Sequence, residues 1–143
     1  MFKSFALARI AGLLAAAALL AACSPPAEDD SRSPEEIVAE RAQAWWQAHI
    51  DKDFGAAWEL ATPGFREATR REIFIDSRSI GNFRFLEADV VQVECEEQLC
   101  EATVDVYYQP VGAPGALAKM KTKTTNREKW LKIDGQWWRS VKQ

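Results

Sequence analysis

The stretch VVQVECEEQLCEATVDVYY, residues 90–108, constrains the fold more than any other part of the chain. Apolar and polar residues alternate on both sides of a short polar break, the pattern of two half-buried strands joined as a hairpin. Pairing Cys95 with Cys100 puts Val93 opposite Ala102, Val91 opposite Val104 and Tyr108 opposite Glu87. One face then carries Val91, Val93, Cys95, Cys100, Ala102, Val104, Val106 and Tyr108, while Gln92, Glu94, Glu101, Thr103 and Asp105 take the other. A slip of one residue would mix the two sets, so the register is strongly specified.

Two further strands are expected. ALAKMKTKTT, residues 116–125, also alternates, and aligning Ala116 with Tyr108 sets Ala118, Met120 and Thr122 beside Val106, Val104 and Ala102. On the other face Lys119 then meets Asp105 and Lys123 meets Glu101. WLKIDGQWW contains Asp134-Gly135, a two-residue hairpin turn.

Helical signals come before the strands. Ser33-Pro34-Glu35-Glu36 reads as a capping box with proline at the first helical position, and Val38, Ala42, Trp45 and His49 follow on one face. Asp53 caps a second helix with the stripe Phe54, Ala57, Trp58 and Ala61, closed by a turn at Thr62-Pro63. A third helix is expected from Thr69, with Glu72 completing a capping box, to Gly81-Asn82. Three helices followed by four antiparallel strands give an α+β fold, N-terminal helices packed on a curved sheet, in residues 34–143.

The N-terminus sets an expectation of compartment. Lys3 and Arg9 precede an apolar run from Ile10 to Ala22. Such a run spans about 20 Å as a helix, short of the roughly 30 Å hydrocarbon core, which reads as a signal peptide over residues 1–22. Leu20-Ala21-Ala22-Cys23 resembles the lipobox of bacterial lipoproteins. That resemblance implies cleavage before Cys23 and acylation of its thiol and amine, with firm anchoring by two or more chains. Ser24 in place of aspartate implies the outer membrane, facing the periplasm. Residues 23–33 then form a Pro-, Ser- and acid-rich tether.

DFGAAWELATPGFR, residues 53–66, and EKWLKIDGQWWRSV, residues 128–141, resemble the second-helix and closing-hairpin signatures of the nuclear transport factor two-like superfamily. The resemblance implies a cone in which helices cover the hollow of a curved sheet. Its SnoaL-like and ketosteroid isomerase-like members do acid-base work inside the cone, and members often dimerise through the sheet.

The chemistry-bearing residues are few. Cys95 and Cys100, facing across a hairpin in an oxidising envelope, are expected to form a disulfide. Zinc would need four ligands where two thiols and the single histidine are available, so no metal is expected. A calcium-loop reading of DKDFG fails because Ala56 and Thr62 stand where glycine and glutamate are required. His49 is a candidate base, against a simpler reading as a packed or capping residue near a helix end. The expected pocket residues are Trp45, His49, Trp58, Val104 and Tyr108.

Residues 119–143 hold eight basic and two acidic side chains, whereas 24–118 hold eight basic and nineteen acidic. A basic face for an anionic ligand competes with simple pairing of lysines and acids across the strands. Trp130, Trp137, Lys132 and Arg139 are a candidate interface, since the adjacent Trp137 and Trp138 must point to opposite faces of their strand and at least one lies outside the core or at a contact. The expected function is therefore a lipid-anchored module that binds an envelope protein or small apolar ligand, with no cofactor and no nucleic acid. The alternatives are a cone-pocket enzyme using His49 or an envelope assembly factor.

Overall fold

A computed structural model describes residues 31–142; the expectations for the leader and for acylation at Cys23 lie outside them. Helix α1, Pro34–Ile50, begins at the predicted capping box: Ser33 Oγ accepts from the Glu36 amide at 3.2 Å and the Glu36 carboxylate from the Ser33 amide at 3.0 Å. Its buried face includes Val38, Ala42, Trp45 and His49, the predicted stripe. Asp53 Oδ1 caps α2, Phe54–Glu59, by accepting from the Ala56 amide at 3.1 Å.

The chain then departs from expectation. Thr62-Pro63 does not open a turn but starts α3, Pro63–Ala68, with Thr62 Oγ1 accepting from the Phe65 amide at 3.4 Å. Thr69 is the extended residue ending α3, so it cannot cap α4, Arg71–Ser79, which starts at Arg70 without a side-chain cap. Among the described residues four α-helices replace the expected three, because Thr-Pro is as good a helix start as it is a stop.

Strands β1, Phe83–Glu96, β2, Leu99–Pro110, β3, Thr122–Ile133, and β4, Gln136–Arg139, form one antiparallel sheet in that order, curled into a half-barrel. The α+β fold with a curved sheet is as read from the sequence. Near the β1–β2 turn the predicted register holds, with Cys95 opposite Cys100 and Val93 opposite Ala102. Two β-bulges then shift it: Val104 faces Val90 instead of Val91, and Tyr108 faces Phe85 instead of Glu87. Val91 is the extra residue and is 60% exposed. An unpaired residue bends its strand and increases its twist, which is how this sheet curls around α1.

The β2–β3 register is also corrected. Tyr108 pairs with Thr122, six residues beyond the expected Ala116, while Gly115–Lys119 forms a 3₁₀ turn. Gly112 and Gly115 have φ of 76° and 58°, left-handed values that hold this segment in a loop. The lysine partners move accordingly. Lys123 pairs with Asp105 at 2.8 Å instead of Glu101, and Lys121, rather than Lys119, makes the neighbouring pair, to Glu87 at 2.7 Å. These exposed pairs account for part of the basic run without a ligand. The Asp134-Gly135 turn forms as expected, with φ of 52° and 81°.

Candidate functional site: an aromatic cleft beside a buried ion pair

The hollow between α1 and the sheet leaves a cleft of about 1120 Å³. Helix α1 supplies Trp45, Trp46 and His49 to its wall, Phe54 comes from the start of α2, Phe85 from β1 and Arg78 from α4. His49 is the hub of the aromatic wall. Its ring centroid lies 4.9 Å from Trp45, 5.5 Å from Trp46, 5.6 Å from Phe54 and 6.1 Å from Phe85. Nδ1 stands 2.9 Å from the Trp45 carbonyl, which can only accept, so Nδ1 is assigned the proton and Nε2 the lone pair. Burial, with the Arg78 and Arg139 charges adding to it, lowers the His49 pKa to about 4. The imidazole is neutral near pH 7.

At the cleft floor lies Glu128, fully buried on the same face of β3 as Trp130. Its Oε1 accepts from Trp46 Nε1 at 2.8 Å, and its Oε2 forms an ion pair with Arg139 Nε at 3.3 Å. Burial raises the Glu128 pKa against the opposing pull of the Arg139 charge, and burial lowers the Arg139 pKa against the pull of Glu128. The backbone fixes Arg139 from a second side. Its amide donates to the Leu60 carbonyl at 2.8 Å and its carbonyl accepts from the Thr62 amide at 3.1 Å, an added bridge beyond the β4 edge. Its guanidinium also lies 5.5 Å from the Trp45 ring.

Of the expected pocket residues, Trp45 and His49 line the cleft. Val104 is fully buried in the core, Trp58 donates to the Thr69 carbonyl at 3.0 Å away from the cleft, and Tyr108 packs on Phe83 at 5.1 Å. The expected interface set is not an exposed platform. Trp130 and Trp137 are buried in the core, Lys132 Nζ lies 5.8 Å from the Trp137 ring, and Arg139 belongs to the cleft. Trp138 is the tryptophan that leaves the core, half-buried with the Arg66 and Arg41 guanidinium groups 4.7 Å and 5.4 Å from its ring. Cys95 and Cys100 form the disulfide. No group of three or more His, Cys, Asp or Glu among the described residues could hold a metal ion.

Sequence reasoning missed Glu128, Trp46, Phe85 and Arg78. Glu128 did have a signal: it is two residues from Trp130 on a strand, so a buried Trp130 carries Glu128 to the same side.

Comparison with known proteins places the fold and nothing finer. No family model matches the chain, and no curated protein does. A SEC-C motif containing protein from Rhodopseudomonas palustris, solved in solution, is similar with a TM-score of 0.54 and 20% identity, over 76% of each chain. A second SEC-C motif containing protein, from Psychrobacter arcticus, gives 0.57 at 7% identity over 78% of this chain and 63% of its own. A domain of unknown function with a cystatin-like fold from Nostoc punctiforme gives 0.53 at 11% identity, over 73% and 72%. At such identities the likeness is one of architecture, the α+β class in which helices cover a curved sheet.

Proposed function

We propose that the chain is a lipid-anchored envelope lipoprotein whose domain, of the nuclear transport factor two-like type, binds a small apolar ligand without transforming it. The observation that carries this reading is the aromatic-walled cleft of about 1120 Å³, the concave and mostly apolar form that ligand sites take. His49 supports binding over catalysis. A general base works best with a pKa near the ambient pH, and His49 sits far below it with Nδ1 committed to a backbone carbonyl. The lipid anchor rests on the leader and on Cys23, and the oxidising compartment agrees with the Cys95–Cys100 bridge.

Native mass spectrometry of the full chain extracted from membranes in mild detergent tests both halves. The expected result is a tri- or diacylated chain beginning at Cys23 that carries a small molecule released by organic solvent. An unacylated chain found free of membranes overturns the anchor. Turnover of the retained molecule, abolished by His49→Phe in a stably folded variant, overturns the binding-only reading.

A further inference from the structure

Arg139 and Arg78 both line the cleft, each resting on one of two neighbouring rings, Trp45 of the cleft wall and Phe74 of the core behind it. Arg139 lies 5.5 Å from the Trp45 ring, Arg78 lies 5.2 Å from the Phe74 ring, and those two rings are 6.2 Å apart. Two guanidinium groups are thereby held on one aromatic pair beside His49, and they repel each other. Each depresses the protonation of His49, and Arg78 depresses that of Arg139. Arg139 has a counterion in Glu128, whereas Arg78 is exposed and makes no ion pair among the described residues. Lys52, Arg78, Arg139 and Lys142 border the cleft on its inner side, in a chain whose net charge is −3. The acid on that side, Glu128, is already paired with Arg139.

Apolar side chains stand exposed at the mouth. Ile80 is 86% exposed and Phe83 56% exposed, and both line the opening. Apolar mouth, aromatic wall and surplus positive charge describe one kind of guest.

We propose that the cleft takes a single-chain amphipathic anion, its acidic headgroup held at Arg78 and Arg139 and its apolar chain laid along Trp46 and Phe85 towards Phe83. This deepens the binding reading given above and rests on it. Arg78 supplies the uncompensated charge, and a guanidinium held on a ring face is already oriented for a carboxylate.

Titration calorimetry of the full chain with dodecanoate, dodecanol and dodecyltrimethylammonium, below their aggregation limits, tests the charge preference. Dodecanoate is expected to bind about tenfold tighter than dodecanol, and the cation weakest, since charge-assisted contacts add to a shared apolar term. Arg78→Gln, at an exposed position, is expected to cut that preference to about threefold with an unchanged circular dichroism spectrum. Equal binding of dodecanoate and dodecanol would overturn the anion proposal and leave the apolar cleft standing. Binding of none of the three would overturn both.

Discussion

Trp46 of α1 donates its indole N–H to Glu128 of β3 at 2.8 Å, a buried hydrogen bond between residues 82 apart in sequence. With Arg139 of β4 on the other carboxylate oxygen, it ties the first helix to the last two strands and fixes the cleft floor. A buried carboxylate with two partners tolerates the loss of neither well.

Removing either charge of the Glu128–Arg139 pair leaves the other buried and unpaired. Glu128→Gln and Arg139→Gln are each expected to cost about 3 kcal/mol, and the double variant less than their sum by at least about 1 kcal/mol. Urea denaturation of the four proteins checks this. Additive losses would mean that the two groups are not coupled.

Acid should weaken the fold through His49. Its pKa is about 4 in the folded chain and 6.5 otherwise, so the unfolded chain binds the proton first as pH falls. The stability that neutral His49 contributes is complete above pH 6.5 and lost on the way down to pH 4, about 3 kcal/mol in all. Glu128, with its raised pKa, acts in the opposite sense and costs stability as pH rises above its unfolded value of 4.5. His49→Gln should therefore flatten the decline in unfolding free energy between pH 6.5 and 4, and an identical slope in both proteins would refute the assignment.

The bulge at Val91 separates two valines that simple alternation treats alike. Val91→Thr, at a site 60% exposed, should change stability by less than about 0.5 kcal/mol. Val104→Ala, at a fully buried site, should cost about 2 kcal/mol. Equal losses in thermal unfolding would indicate a β1 without its bulge.

Breaking the Cys95–Cys100 bridge frees a loop with a sequence separation of 5. Cys95→Ala with Cys100→Ala should lower stability by about 2 kcal/mol in the chain-entropy view, without loss of the folded state. A chain that no longer folds would give the bridge a larger role than loop closure.

What the sequence made legible was local. The α1 face, its capping box, the Asp53 cap, the Asp134-Gly135 turn and the facing cysteines each depend on residues a few positions apart. The misplaced features depend on distant partners. A period-two pattern is unchanged by a shift of six residues, so the lysine run fitted the wrong register as well as the right one. Bulges add a residue without altering composition, and Val91 looked like its neighbours. Glu128 was hidden by its type, since an acid reads as surface until Trp46 and Arg139 are seen to meet it.

The measurement that bears most directly on the account is a titration of the folded full chain with the neutral apolar dye N-phenyl-1-naphthylamine, read by tryptophan quenching and dye emission. A ligand cleft walled by Trp45 and Trp46 predicts saturable one-to-one binding with a Kd of about 10 µM or tighter. No saturable binding up to about 1 mM would contradict it.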